Sequence, residues 1–214
     1  MTVSYAQSLD GSIAAPGGSR LRLSGPASTR MTHRLRAAHD AVIVGIGTVL
    51  ADDPQLTVRE AQGQNPRPFI ADTHLRTPPN ARVLRAGQPA VVVAGEGSDG
   101  RARHSLEAAG AEILHLSTTS DGLLSLSHLV SKLESLNVRR LMVEGGAKLI
   151  TSFLNARLVD RVVITICPCL VGGLHATRAL ERTPSGEFPR LISPHSALVG
   201  EDIVVWGELD RVSP

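Results

Sequence analysis

Two short apolar runs in this chain end in glycines, and both are suited to bringing a ligand against the backbone. The first is Ala41-Val42-Ile43-Val44-Gly45, continuing into Ile46-Gly47-Thr48; the second is Leu141-Met142-Val143, continuing into Glu144-Gly145-Gly146-Ala147. Glycine accepts positive φ and carries no Cβ, so a bound molecule can approach the chain closely. At the second site a helix follows at once, and its unpaired N–H groups and dipole favour a phosphate. Packing of strand against helix is the alternative use of the same glycines. The first run lacks the third glycine of the dinucleotide fingerprint, since Leu50 stands in that place, and alone it defines no such site. Glu144 closes an apolar strand at the edge where open α/β sheets bind ligands. Its other use is to complement the dipole of the helix that follows.

Asp52-Asp53-Pro54-Gln55-Leu56-Thr57-Val58-Arg59 sets two acids and a base within one turn and extended piece. Such a segment is either a solvated turn with a capping Asp or part of a site. Arg30, Arg34 and Arg36 lie on an amphipathic helix, where a guanidinium either grips an anion through two hydrogen bonds or faces water. His33 and His39 have no carboxylate or cysteine at metal-ligand spacing. Cys167-Pro168-Cys169 lacks both the second pair of a structural zinc site and the Pro-Cys-x-x-Cys of a zinc deaminase, so no metal site is expected.

Periodicity alternating between two and 3.6 predicts strands joined by helices across a largely parallel sheet. Strands are expected at 2–7, 41–45, 69–71, 90–94, 113–116, 140–143, 161–166 and 202–206. Helices are expected from Pro26 to 38 and at 101–109, 127–136 and 147–155, with a glycine turn at 45–48 and loops at 60–68 and 183–190. The chain has 214 residues, enough to bury about 70% of its surface as one domain. Aromatics are 2% of it, which leaves nothing to build a base-stacking face, and a net charge of +2 argues against binding duplexes by charge. No apolar run reaches membrane-spanning length, and two cysteines one residue apart suit a reducing compartment; a cytoplasmic protein is expected.

Several strings taken together resemble one family: Ser8-Leu9-Asp10-Gly11, the run from Arg34 through Gly45, Gly47-Thr48-Val49-Leu50-Ala51-Asp52-Asp53-Pro54-Gln55-Leu56-Thr57-Val58-Arg59, and Val143-Glu144-Gly145-Gly146-Ala147. It is the riboflavin-biosynthesis pyrimidine reductase family, related in fold to dihydrofolate reductase. The resemblance implies an α/β, single-domain dihydrofolate-reductase-like fold over 1–214, with a mostly parallel central sheet flanked by helices and no deaminase domain. It implies NADPH-dependent reduction of the ribosyl group of 2,5-diamino-6-ribosylamino-4(3H)-pyrimidinone 5′-phosphate. The alternatives are the deaminated 5-amino-6-(5-phosphoribosylamino)uracil, a pterin-like substrate, or a catalytically silent NADPH-binding scaffold.

On this resemblance Glu144 and Asp52 are expected at the chemistry. Gly45, Gly47, Thr48, Asp52 and Thr73, with Gly146, Ala147, Lys148, Leu149, Ile150, Thr151 and Ser152, are expected to line the NADPH groove. Ser19, Arg36, Leu56, Arg59 and Glu144 are expected at the substrate, the two arginines on its phosphate and Glu144 on the ribosyl hydroxyls. Arg76 is suited by its type to the extra phosphate of NADPH. A homodimer built through the late strands is expected by analogy with the family, with no nucleic-acid or membrane partner.

Overall fold

Each short aliphatic run forms a strand because both of its faces are covered, which is the condition that lets a parallel strand be apolar throughout. The computed structural model describes residues 1–18, 21–182 and 186–210. Its strands are β1 (Thr2–Ser8), β2 (Ser12–Ala14), β3 (Ala41–Gly45), β4 (Arg67–Ala71), β5 (Val91–Gly95), β6 (Glu112–Leu116), β7 (Leu141–Glu144), β8 (Arg161–Cys167), β9 (Leu174–His175), β10 (Leu191–Val199) and β11 (Asp202–Leu209). The helices are α1 (Pro26–Ala37), α2 (Ile46–Asp52), α3 (Gly100–Ala108), α4 (Leu126–Ser135) and α5 (Ala147–Asn155).

Nine strands form one sheet in the order β10-β11-β8-β1-β7-β3-β4-β5-β6. Pairing is parallel from β8 to β6 and antiparallel only at the β10-β11-β8 edge. Alternate residues of a strand point to opposite faces, and the core is divided accordingly. Val42 and Val44 of β3 pack with Ile70, Val92 and Leu106 on one face, joined by Leu35 of α1. Ala41 and Ile43 pack on the other with Phe69, Leu129 and Leu133 of α4, and Ile150 and Phe153 of α5. The result is an α/β fold with helices over both faces of a mostly parallel sheet.

Besides the short strands β2 and β9, which the sequence does not predict, two features differ from expectation. The segment 45–48 is not a turn: β3 passes directly into α2, because Ile46 and Val49 stand three apart and both bury against the sheet. The strand β10, Leu191–Val199, lies where no strand is expected, between the expected strands at 161–166 and 202–206. It is exposed over most of its length, contains Pro194 and shifts register between Ile192 and His195, so it shows none of the alternation that marks a half-buried strand. No helix among the described residues is long and apolar enough to cross a membrane.

His39, just past α1, joins that helix to the first strand: its Nδ1–H donates to the Leu35 carbonyl at 2.6 Å, and its Nε2 accepts from the Thr2 hydroxyl at 3.0 Å. Both contacts suit a neutral ring. Burial first, then the positive charges of Arg140 and the N-terminus, push its pKa below the ordinary 6.5, against the Leu35 bond and Asp40. A depressed histidine contributes its full stability above the unfolded value and loses it as pH falls. The urea midpoint should therefore drop as the pH is lowered from 7 through 6.5 and below, and His39→Gln should show a smaller drop over that range; equal drops would contradict this role.

Candidate active site

The carboxyl ends of β1, β3, β4 and β7 open into a cavity of about 1110 Å³, the edge at which parallel α/β sheets hold ligands. At its centre an ion pair joins two elements far apart in the chain. Arg36, in the last turn of α1, meets Glu144, the final residue of β7, with Nε to Oε1 at 2.6 Å and Nη2 to Oε2 at 2.6 Å. The remaining amino group donates to the Thr57 carbonyl at 3.0 Å. The two side chains are 12% and 13% exposed, so the fork-to-fork geometry is shielded from water and strong. Burial is the largest influence on Arg36 and pulls its pKa down, but the charge and hydrogen bond of Glu144 outweigh it and hold the guanidinium above its ordinary value. Glu144 is thus not an exposed acid at a helix start, and Arg36 is not a free phosphate clamp: its fork is spent on Glu144 and Thr57.

The 52–59 segment is held by many small constraints. Asp53 ends α2 in the left-handed region at φ 41°, its N–H bonded to the Val49 carbonyl and its Oδ1 accepting the Arg82 N–H at 2.8 Å. Leu56 has φ 55° and is buried in the core cluster beneath, which compensates the strain of a branched residue in that conformation. The Val58 N–H reaches Asn65 at 2.8 Å and the Arg59 N–H reaches His33 Nδ1 at 2.8 Å. Fixed in this way, Arg59 lies at the surface of the cavity with its Nη1 on the Thr57 hydroxyl at 2.6 Å. Burial, then the charges of Arg36 and Arg82, press its pKa down. Among the described residues no carboxylate forms an ion pair with it, which is the environment of a guanidinium that would gain from an anion. Asp52 lines the cavity close by.

Across the cavity, the β7–α5 junction runs through Gly145 at φ 73° and Gly146 at φ 87°. A Cβ on Gly146 would come within 3.3 Å of Thr48 Oγ1, and one on Gly145 within 3.6 Å. The cradle therefore depends on glycine both for its conformation and for the space beside Thr48. Among the described residues no side chain caps α5, so its first N–H groups have no side-chain acceptor there. Gly45, Gly47, Thr48, Gly146, Ala147, Lys148, Leu149 and Ser152 all line the cavity, with Thr73 at the end of β4. A Cβ on Gly47 would meet nothing within 4 Å.

Two residues expected in this groove lie elsewhere. Ile150 is buried in the core, and its N–H is committed to the Gly146 carbonyl. The Thr151 hydroxyl donates to the Ala147 carbonyl at 2.6 Å and accepts the Arg178 N–H at 2.9 Å. The helical period decides this, since it turns 150, 151 and 153 inward while 148, 149 and 152 face the groove. Leu56 lines the cavity from the core side. Arg76 lines it too, 56% exposed, with Nε 3.6 Å from Asp72 Oδ1. Ser19 lies outside the described residues.

The Ser8-Leu9-Asp10-Gly11 string has a structural task. The Asp10 carboxylate accepts the Ser8 hydroxyl at 2.6 Å, the Ser12 hydroxyl at 2.8 Å, and the N–H groups of Val171 at 2.9 Å and Gly172 at 2.7 Å. These bonds, Ser8 first, hold its pKa far below the usual carboxylate range. They tie the first turn to the 171–173 loop and so support the β2–β9 pair, from which Ile13, Ala14 and Leu174 wall the cavity.

The order and direction of the strands define an α/β fold of the dihydrofolate-reductase-like class: a solved dihydrofolate reductase from Enterococcus faecalis superposes with a TM-score of 0.54 at 12% identity, over 98% of this chain and 96% of that one. Within that class the chain belongs to the RibD C-terminal domain family, whose model matches residues 1–205. The 2,5-diamino-6-ribosylamino-4(3H)-pyrimidinone 5′-phosphate reductase of Methanothermobacter thermautotrophicus is 38% identical, over 94% of this chain and 93% of that protein. The riboflavin biosynthesis protein RibD of Aquifex aeolicus is 35% identical over 96% of this chain but 56% of its own length. The structure of the Saccharomyces cerevisiae riboflavin biosynthesis reductase Rib7 superposes with a TM-score of 0.76 at 28% identity, over 98% of this chain and 89% of that one. The Methanothermobacter and Saccharomyces relatives are named as reductases, and the chain is an oxidoreductase of riboflavin biosynthesis.

Removing one partner of a shielded ion pair leaves the other charge uncompensated. Arg36→Met should lower stability by about 3 kcal/mol, and the double variant Arg36→Met, Glu144→Gln should regain at least half of that loss in denaturant midpoint. If the double variant is as unstable as the single one, the pair is not the strut described here.

Proposed function

We propose that the chain reduces the ribosyl group of 2,5-diamino-6-ribosylamino-4(3H)-pyrimidinone 5′-phosphate to the ribityl group, with NADPH as reductant. The observation that carries this reading is that Glu144, held by Arg36, lines one cavity together with the glycine junctions and with Arg59, which forms no ion pair among the described residues. The names of two relatives that match over most of both chains support the diamino substrate.

A nicotinamide cofactor held in the groove would supply a hydride. The chain offers that cofactor a fitting seat: the Gly145-Gly146 cradle, the Thr48 hydroxyl and the uncapped N–H groups of α5 suit a pyrophosphate, and Arg76 suits the additional phosphate that separates NADPH from NADH. A ribosylamine opens to an imine whose C1′ accepts hydride, so what the protein must do is orient the opened sugar and shield it from water. Each Glu144 oxygen accepts one hydrogen bond from Arg36 and keeps a further lone pair for a sugar hydroxyl. Arg36 thereby fixes the direction of those acceptors, while Arg59 meets the 5′-phosphate. We also propose a homodimer in which the exposed β10–β11 hairpin, with Leu198 75% exposed, is covered by a second copy.

The test is turnover. Purified protein mixed with NADPH and the diamino substrate should consume the nicotinamide absorbance and yield a product two hydrogens heavier, faster than with NADH or with the deaminated uracil; faster turnover of the uracil would reverse the substrate assignment. NADPH binding with no turnover of either pyrimidine would replace the reductase by a silent scaffold. Glu144→Gln should lower kcat about tenfold or more while leaving NADPH affinity nearly unchanged. Arg59→Ala should raise the KM of the phosphorylated substrate about 10- to 150-fold, equivalent to about 1.5–3 kcal/mol, and leave a dephosphorylated analogue unaffected; a KM indifferent to the phosphate would remove Arg59 from this role.

A further inference from the structure

His33 lies on α1 one turn before Arg36, is 2% exposed and lines the cavity. Its Nδ1 accepts the N–H of Arg59 at 2.8 Å across 26 residues of sequence. An acceptor at Nδ1 requires the proton of a neutral ring to sit on Nε2. Among the described residues the Arg59 side chain is hydrogen-bonded to the hydroxyl of Thr57 two residues away, and the bond to His33 ties the Arg59 backbone itself to α1, alongside the bonds of Asn65 to Val58 and of Arg36 to Thr57 on the same loop. We propose that neutral His33 is the positioning residue for Arg59, holding the 57–60 backbone so that the guanidinium meets the substrate phosphate and letting go when the ring takes up a proton. A protonated ring presents N–H at Nδ1 as well, and two donors then face each other where one hydrogen bond stood.

The surroundings keep the ring neutral. Burial is the main cause, followed by the positive charges of Arg36 on the same helix and Arg59 on the facing loop; Glu60 on that loop and Glu144 at the end of β7 oppose them, and the balance pushes the His33 pKa below the ordinary 6.5. Above that value the contact is intact. It weakens as the pH falls through the depressed midpoint of the ring.

This inference rests on the reading of Arg59 as the phosphate contact, and its test separates the two. Nitrogen-15 NMR of the ligand-free protein reports the tautomer and titration of His33 alone: the Nε2–H form with a midpoint below 6.5 is expected, and an Nδ1–H form overturns the inference whatever the enzyme turns over. In kinetics, His33→Ala should raise the KM for the phosphorylated pyrimidine about tenfold, the worth of one hydrogen bond, with kcat within about twofold. His33→Asn, whose amide oxygen can take the place of Nδ1 but cannot titrate, should restore the neutral-pH KM. Because a phosphate monoester itself takes up a proton near pH 6, the quantity followed with pH is the ratio of wild-type KM to that of His33→Asn. That ratio should climb as the pH falls through the midpoint found by NMR. A constant ratio, or an unchanged KM in His33→Ala, overturns the positioning role; absence of turnover in the wild type overturns instead the function assigned above.

Discussion

A carboxylate at the end of a central strand is costly to shield from water unless a cation meets it, and in this protein that cation is Arg36, 108 residues earlier in the chain. The pair clamps the end of α1 to the end of β7, and through the Thr57 carbonyl it also holds the loop that follows α2. Three elements that form the rim of the cavity are therefore referenced to one guanidinium. The arrangement settles the orientation of both Glu144 oxygens before any ligand arrives, which is the state that electrostatic preorganisation requires.

Around this strut the cavity is built from conformations that side chains ordinarily avoid. Asp53 and Leu56 sit in the left-handed region, and each is compensated by a contact from outside the loop: Arg82 for the first, the aliphatic core for the second. Gly145 and Gly146 occupy the same region without strain and leave room for Thr48. The Asp10 carboxylate does for the opposite wall what Arg36 does for the centre, gathering four donors so that the β2–β9 pair stands over the opening. Rigidity at the rim is thus distributed among a few charged or strained residues rather than among the apolar contacts that hold the sheet.

The sequence made the elements legible wherever apolar residues alternate or recur on a helical stripe. The strand at 41–45 and the helix at 147–155 end at the expected residues. Legibility failed where burial does not govern the pattern, as in β10, whose exposed face and Pro194 give no period. It failed too at 45–48, where glycines signalled a turn but Ile46 and Val49 had a face to bury and made a helix instead. In the groove the string from Gly146 to Ser152 is one block in the sequence, and helix geometry divides it, sending Ile150 and Thr151 away from the cavity.

Residue types and local spacing by themselves determined the class of fold, the two glycine junctions and the set of chemically capable residues, because secondary structure depends on near neighbours and on the period of burial. Which of those residues act together was decided only by the tertiary structure. That Arg36 is spent on Glu144 while Arg59 stays open, that His33 rather than a carboxylate orders Arg59, and that Asp10 anchors a loop 161 residues away, are outcomes of strand order, and no pattern along the chain encodes the distance between residues that a sheet brings side by side.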